Sequence, residues 1–380
     1  DDAQYQALMQ AGVTFAQQHQ LRPGVTLSAQ QIASLTSDIV WLETRKVQLA
    51  DGRVQEVLVP QLYVLPRKGD LQPNGALISA QAVDAQLGGE LVNSGTIAGR
   101  GAVYIAADGV RNLAGDLLAG DGLEVRAQQD LRVEGGTLQA GKHLELRAGG
   151  DVVVQSTLAH SQTGSSTRAA VDRVARLVVR GEEGAGATGA GVLKLQSGGD
   201  IALQGAQVHN AAAGGLTVLD AGGNLTVGSA QTKAEHQLEF DARNYNRWGE
   251  SADVGSQVQG AGAVVLHAQD NVNIHASDVQ AQGALRVSAG NDVRVTAGQA
   301  QQYVQDSYYR EGRDWLSRGS SLQQDQAKRS EALTSSLRGN TVHIHAGHDV
   351  LTQGAQVQAT QGGSITAGNN IDLAAAQSTY

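Results

Sequence analysis

Short runs of alternating apolar and polar residues recur throughout this chain. Each apolar-polar-apolar run leads into a turn of small residues, then an Asp or Asn, then a second alternating run. Alternation with a period of two predicts β-strands with one buried face, and repetition at a regular spacing predicts a solenoid. The paired runs lie at residues 123–133, 144–154, 193–203, 216–227, 264–274, 285–295, 342–351 and 365–373.

The Asp or Asn of each turn lies at a matched position and defines the repeat length. Uninterrupted coils follow one another at the spacing from Asp130 to Asp151, whereas the steps from Asp200 to Asn271 and on to Asp349 are more than three times as long. The chain is therefore expected to consist of a super-repeat of two coils plus an insert. The eight turn anchors are Asp130, Asp151, Asp200, Asn224, Asn271, Asp292, Asp349 and Asn370.

These features predict an all-β fold, a right-handed parallel β-helix of coils that each contain about 21 residues. In such a coil Leu144 and Leu146 face the interior, and Glu145 and Arg147 face solvent. Aromatic residues make up only 3% of the chain, while Ala, Val, Leu and Ile supply the apolar side chains and 48 Gly supply turns. A left-handed solenoid would need a strict six-residue motif, which the chain lacks.

The segment 1–70 differs from the rest and predicts a small α+β module. Apolar residues at helical spacing predict a helix over 1–20, and Ser28 with Gln31 fits the capping box of a second, short helix. The alternating runs 39–49 and 54–65 flank an Asp51-Gly52 turn that is typical of a β-hairpin. Trp41 and Tyr63 are expected to pack between the helix and the hairpin. The β-helix is then expected to span residues 71–380.

Three inserts, at about 156–191, 229–262 and 297–340, are expected to leave the same side of the rod. Their conformation stays open between hairpins, helices and disorder, although Leu322, Ala327, Leu333 and Leu337 suggest that the third is partly helical. Their aromatic residues, mixed with arginines, could pin the inserts onto the rod or contact a partner or membrane. These residues are Phe240, Tyr245, Trp248, Tyr303, Tyr308, Tyr309 and Trp315.

Composition and motifs exclude several classes of function. A net charge of −9 without a basic patch argues against nucleic acid, and no apolar run is long enough for a membrane-spanning helix. The absence of Cys excludes a disulfide framework and suits a chain that crosses membranes unfolded. No carboxylate stripe or nucleophile motif appears, so we expect no enzymatic activity, no catalytic residue, no cofactor and no small-molecule substrate.

Two groups of residues could suggest a metal ion. The turn anchors follow a much longer period than those of calcium-binding rolls, and three of the eight are Asn, so they are expected to cap each turn through their own backbone. His343, His345 and His348 could form a metal site, but a strand that carries Ser288 is expected to separate His345 from His267. Solvated histidines and no metal site are therefore expected.

The Gly-Gly-Asp turns with their flanking strands resemble the haemagglutinin repeats of the filamentous haemagglutinin family. The resemblance rests on LELRAGGDVVV at 144–154, LKLQSGGDIAL at 193–203 and LTVLDAGGNLTV at 216–227, and it extends over the whole of 71–380. The segment 35–65 is similar to a module that precedes repeat blocks in exoproteins of the CdiA type, which act in contact-dependent growth inhibition.

The resemblance implies a segment of a larger bacterial exoprotein of two-partner secretion, which an outer-membrane pore of the producing cell exports to the cell surface. One hypothesis is a delivery stalk of a contact-dependent toxin system that engages the outer membrane of the target cell. The other is an adhesin rod that mediates attachment to cells or a host. Because the repeat stops at Tyr380, where another insert is due, the sequence is expected to be part of a longer chain.

Overall fold

The computed structural model describes residues 2–25, 27, 35, 37, 39–48, 54–63, 77–181, 191–314 and 317–378. Within these ranges the chain forms one α-helix and 35 β-strands. It divides into two compact units, Asp1–Gln81 and Ala82–Tyr380. The boundary expected after residue 70 falls within 64–76, outside the described residues.

The first unit contains the predicted helix and hairpin. Strands β1 and β2 pair antiparallel. The Asp51-Gly52 turn expected between them and the short helix expected after Ser28 lie outside the described residues. The indole N–H of Trp41 donates to the carbonyl of Val25 at 2.7 Å, and the Trp41 ring is buried in a cluster with Phe15 of the helix. The side chain of Tyr63 lies outside the described part. The elements are α1 (Asp2–Gln18), β1 (Ile39–Gln48), β2 (Val54–Tyr63) and β3 (Leu77–Ala80).

The second unit consists of strands that repeat in threes, interrupted by three antiparallel hairpins. Its strands are β4 (Val83–Gln86), β5 (Glu90–Asn93), β6 (Thr96–Gly99), β7 (Ala102–Ala107), β8 (Gly109–Leu113), β9 (Asp116–Ala119), β10 (Gly122–Ala127), β11 (Leu131–Glu134), β12 (Gly136–Ala140), β13 (His143–Ala148), β14 (Val152–Gln155), β15 (Thr157–Thr163), β16 (Ser166–Arg173), β17 (Ala175–Val179), β18 (Val192–Ser197), β19 (Ile201–Gln204), β20 (Gln207–Asn210), β21 (Leu216–Ala221), β22 (Leu225–Asp241), β23 (Asn244–Gly255), β24 (Gln257–Gly260), β25 (Ala263–Ala268), β26 (Val272–His275), β27 (Asp278–Ala281), β28 (Ala284–Ala289), β29 (Val293–Thr296), β30 (Gly298–Asp314), β31 (Ser317–Leu333), β32 (Ser335–Ala346), β33 (Val350–Gln353), β34 (Ala355–Ala367) and β35 (Ile371–Ala374).

One coil of the second unit is a strand on each of three faces. Strand β10 lies on the first face, β11 on the second and β12 on the third, and β13 then returns to the first face one rung further on. Every rung pairs in parallel with the next, so that Leu123 aligns with Leu144 and Leu144 with Leu193. The prediction of a right-handed parallel β-helix is confirmed.

Aliphatic side chains stacked rung over rung form the interior of the β-helix. A single hydrophobic cluster runs from Ile97 to Val350. Leu144 and Leu146 are fully buried, whereas Arg147 is exposed, as the alternation predicts. Each inward residue packs against its equivalents in the neighbouring coils, because parallel in-register pairing places them about 4.8 Å apart.

Strand β21 shows that the turn anchor, and not local hydrophobicity, sets which residues face inward. Its sequence LTVLDA would bury Leu216 and Val218 by alternation alone, yet Thr217 and Leu219 are fully buried while Leu216 is 38% exposed. Thr217 precedes the anchor Asn224 by the same interval by which Leu193 precedes Asp200. The register therefore pairs Thr217 with Leu193.

Among its described residues each insert contains an antiparallel hairpin, and the expectation of a partly helical third insert was wrong. Leu322, Ala327 and Leu333 lie in β31, which pairs with β30 along its whole length. The hairpins are also shorter than the expected inserts, since β17, β24 and the first half of β32 belong to the third face. Each hairpin leaves the rod between the second and third faces, on one common side.

Candidate interaction surface

The turn anchors stack in a column at the corner between the first and second faces. Asp130 Oδ1 accepts the backbone N–H of Asp151 at 3.0 Å, and Asp151 Oδ1 accepts that of Asp200 at 2.8 Å. Asp200 Oδ1 accepts the N–H of Asn224 at 2.7 Å. The anchors act between coils, whereas the sequence predicted bonding within each turn. Equivalent bonds join Asn271 to Asp292, Asp292 to Asp349 and Asp349 to Asn370.

Asp292, His348 and Asp349 bring three potential ligand atoms within 4.8 Å of one another. His348 Nδ1 lies 3.3 Å from Asp292 Oδ1 and 3.1 Å from Asp349 Oδ2. The Asp292 carboxylate also accepts from the Asp349 N–H and from the Arg294 guanidinium. The N–H of Asn370 is the largest cause of the lowered pKa of Asp349. These oxygens are thus occupied by contacts that hold the turns together.

The remaining histidines of the His-x-His-x-x-His motif bond to hydroxyl groups on the next rung. His267, Ser288 and His345 align in one row, so the predicted separation of the two histidines is confirmed. His345 Nδ1 lies 2.9 Å from Thr366 Oγ1, and His343 makes the equivalent contact with Ser364. The histidine pattern therefore reflects stacking along the rod.

The three hairpins pair edge to edge into one antiparallel sheet, named here the hairpin sheet. Its strand order is β15-β16-β22-β23-β30-β31. Because the second strand of one hairpin pairs with the first strand of the next, inserts that are far apart in sequence form one surface. The pairings between hairpins run from Ser166↔His236 to Ala169↔Lys233, and from Tyr245↔Ser307 to Ala252↔Ala300.

The register divides the insert aromatics between the two faces of the hairpin sheet. Trp248 pairs with Val304, and Leu238 and Tyr308 lie on the same face by alternation; these four residues define the tryptophan face. The ring of His236 stacks beside Trp248 with 6.1 Å between centroids. The exposed fractions are 39% for Trp248, 42% for Val304, 38% for Leu238 and 55% for Tyr308.

The opposite face carries Tyr245 and Tyr303, which are half-buried. Tyr303 pairs with Gly249 and its ring covers the space that a side chain there would fill. The Arg247 guanidinium lies 4.5 Å from the Tyr245 ring centroid and 2.8 Å from the Glu239 carboxylate. These tyrosines pack within the sheet, whereas the tryptophan face presents apolar area to solvent.

Two further aromatics, Phe240 and Tyr309, lie towards the hairpin tips. Phe240 is 75% exposed, and the Arg243 guanidinium lies over the Tyr309 ring, 3.8 Å from its centroid. Trp315 lies outside the described residues. Sequence reasoning singled out aromatics but missed the aliphatic members of the tryptophan face, Leu238 and Val304, because their exposure follows from pairing between separate inserts.

Buried serines at the base of the hairpins were also missed. Ser256, which follows the second hairpin, donates from Oγ to the Gly228 carbonyl at 2.6 Å and accepts the Ala206 N–H at 3.0 Å. Ser277 and Ser335 make similar bonds at the same corner. Hydroxyl groups thus satisfy backbone groups where the chain leaves and rejoins the rod. The recurrence of Ser at this corner in successive coils is the sequence feature that could have predicted these buried hydroxyl groups.

Comparison with known proteins identifies the repeat. A haemagglutinin-repeat family model matches residues 104–175, 183–246 and 242–380, and a second one matches 46–135. The tRNA nuclease CdiA of Escherichia coli (strain STEC_O31) is 26% identical over 94% of this chain and 13% of its own length. Toxin CdiA of Yersinia pestis is 36% identical over 33% of this chain, and tRNA nuclease CdiA-2 of Burkholderia pseudomallei is 36% identical over 30%.

The chain spans only 13% of the first of these relatives and 4% of each of the other two. No solved structure matches it. Among the described residues, the single helix does not have the length and apolar character needed to span a bilayer. Matches over most of the coils, together with the parallel β-helix, show that the chain belongs to the haemagglutinin-repeat family and is a segment of a secreted surface exoprotein of the filamentous haemagglutinin and CdiA type.

Proposed function

We propose that this segment is the haemagglutinin-repeat stalk of a contact-dependent growth inhibition exoprotein, and that its hairpin sheet engages the outer membrane of the target cell. The observation that carries the proposal is the match to a CdiA protein over 94% of the chain. The toxic nuclease activity in the names of the relatives would belong to other parts of the longer protein, and the stalk itself would catalyse no reaction.

The rod supports this role through its stiffness. Backbone hydrogen bonds join every rung to the next, and one continuous aliphatic cluster fills the interior from Ile97 to Val350. In such a solenoid the stability is close to a sum of terms between neighbouring coils. The chain can therefore hold a distant domain away from the producing cell without any chemical site or cofactor.

Export by an outer-membrane pore of the producer is part of the same proposal. The chain has no Cys, so no disulfide can form before it is threaded. Stacking of coils then lets folding propagate from rung to rung as the chain emerges. Neither nucleic acid nor a small-molecule substrate is required as a partner.

The tryptophan face of the hairpin sheet is the proposed contact with the target membrane. Trp248, Val304 and Tyr308 expose apolar area on one side of the hairpin sheet. Trp and Tyr favour membrane-water interfaces because their rings are apolar at one end and polar at the other. The neighbouring Arg310 guanidinium, 5.4 Å from the Tyr308 ring, can meet anionic head groups.

Co-sedimentation with outer-membrane vesicles tests this contact. Trp248→Gln combined with Val304→Gln is expected to reduce the bound fraction severalfold. Leu216→Gln is the matched control, since Leu216 is 38% exposed but lies on the first face of the rod. Equal loss in both variants, or unchanged binding of the double variant with an intact hairpin sheet, would contradict the proposal.

The alternative is an adhesin rod that attaches to cells or to a host. The haemagglutinin repeat matched over residues 46–135 and the exposed hairpin sheet support it equally. The two functions differ in their partner. Binding to host epithelial cells in the absence of binding to bacterial vesicles would favour the adhesin.

A further inference from the structure

The hairpin sheet grows by one pairing rule. The second strand of each hairpin pairs antiparallel with the first strand of the next: β16 with β22, then β23 with β30. Strand β31 is the second strand of the third hairpin, and in the described part of the chain its only strand partner is β30. By the same rule, the other edge of β31 is a position for a further strand.

This edge is long enough to bind one. Strand β31 spans Ser317–Leu333, 17 residues, and an unpaired row of backbone N–H and C=O groups is a template for strand addition. Asp325 and Lys328 interrupt it with charge, which discourages indiscriminate pairing. The edge is therefore suited to a specific strand and not to general aggregation.

The repeat places the start of such a strand within this chain. Hairpins follow β14, β22 and β29, which are every second strand of the second face, and β35 is the next in that series. Only the part of β22 up to Gly228 belongs to the second face, and its remainder is the first strand of the second hairpin. The residues that follow the last three second-face segments are Ser-Ala-Gln-Thr at 229–232, Ala-Gly-Gln-Ala at 297–300 and Ala-Ala-Gln-Ser at 375–378. Ala376 thus occupies the position of Ala230 and Gly298, where the earlier hairpins begin.

A contact already joins this segment to β31. The backbone N–H of Ala332 donates to Ser378 Oγ at 3.1 Å. At the equivalent place between the second and third hairpins, the N–H of Gln299 donates to Asp253 Oδ2 at 2.8 Å. In both cases a bond at the base of the sheet ties one hairpin to the start of the next.

We propose that the outer edge of β31 binds, in antiparallel sense, the first strand of a fourth hairpin that starts at Ala376. Residues Tyr245–Ala252 of β23 pair with β30, and the matching positions of β31 are 324–331. The hairpin sheet would then continue along the rod as repeats are added. This inference does not depend on what the tryptophan face contacts.

A tandem duplication tests the proposal. A copy of residues 297–374 added after Ala374 supplies two further coils and a hairpin in register. Amide hydrogen exchange at 324–331 is expected to slow at least tenfold. The control copy lacks 298–333, so its second and third faces are joined directly, as they are at Gly205-Ala206. With this control copy the amides of 324–331 in the original hairpin should exchange as they do in the original chain. Slow exchange in the added rungs, with no change at 324–331, would overturn the proposal.

A second measurement covers the case in which the added coils do not fold. A synthetic peptide of residues 298–311, GQAQQYVQDSYYRE, is added to the original chain. It is expected to slow exchange at 324–331, and a version with Pro in place of Gln302 and Val304 is not, because Pro cannot donate to the ladder. Equal exchange with both peptides would also count against the proposal.

Discussion

Replacing Thr217 with Val tests whether the turn anchor sets the register of a strand. Thr217 is fully buried, and its Oγ1 has no hydrogen-bond partner among the described residues. On the neighbouring rungs it aligns with Leu193 and Val264, both fully buried. Val has nearly the same shape as Thr and removes the unsatisfied hydroxyl from this aliphatic row.

The expected change is a gain in stability. Burying an unsatisfied hydroxyl costs about 1–3 kcal/mol, so Thr217→Val should raise the free energy of unfolding by about 1–2 kcal/mol. Leu216→Ala should cost less than about 1 kcal/mol, because the side chain is partly exposed and leaves no enclosed cavity. Leu219→Ala, at a fully buried position, should cost about 2–5 kcal/mol.

Urea unfolding followed by circular dichroism measures all three variants. A shift in the midpoint at an unchanged slope reports stability alone. If local alternation governed β21, Leu216 would face the interior and Thr217 the solvent. Leu216→Ala would then cost several kcal/mol and Thr217→Val almost nothing, which would refute the assignment.

Three further changes probe the core and the anchor column. Val152→Asp buries an unpaired charge and should cost more than about 3 kcal/mol in urea unfolding, while Val153→Asp on the outward side should cost less than about 1 kcal/mol; similar costs would contradict the inward assignment. Asp200→Ala should cost about 1–2 kcal/mol and Asp200→Asn much less, since Asn keeps the acceptor for the next coil; equal losses would mean that charge matters more than the bond. The folded pKa of Asp349 is lowered, so its contribution is present above the unfolded pKa and is lost as pH falls through the folded value. Stability measured from pH 7 to pH 2 should therefore fall less in Asp349→Asn, and identical profiles would remove this carboxyl as a cause.

The β-helix could be predicted because its information is local and repeated. Each coil carries its own turn anchor and its own alternation, so one run predicts the inward positions of Leu144 and Leu146 correctly, and matched runs such as 123–133 and 193–203 support it. In strand β21 the position of the turn anchor also determines which residues face inward, although alternation alone would bury Leu216 instead of Thr217. Alignment to the anchors would have placed Thr217 inside, because stacking with Leu193 and Val264 outweighs one unfavourable residue.

The hairpin sheet could not be predicted in the same way. Its residues lie outside the aliphatic cluster of the rod and most are at least partly exposed, so they carry little of the apolar-polar alternation that marks a half-buried strand. Its pairings join residues of different inserts, such as Ser166 with His236, which the local sequence does not encode. The leucines of β31 therefore suggested a helix, while the partner strand β30 determined the outcome. The membrane or partner role of the aromatics stays a prediction.

The one-hairpin-per-two-coils arrangement has a geometric consequence. Neighbouring strands of any sheet lie about 4.8 Å apart, so two rungs advance the rod by roughly 9.6 Å, the width that one two-stranded hairpin occupies. The rod and the hairpin sheet are thus commensurate, and each can extend indefinitely without falling out of step with the other. Gain or loss of a single coil would break this match, whereas gain or loss of a whole super-repeat would preserve it. Evolution of such chains by duplication is therefore expected to proceed in whole super-repeats, such as the step from Asn271 to Asp349.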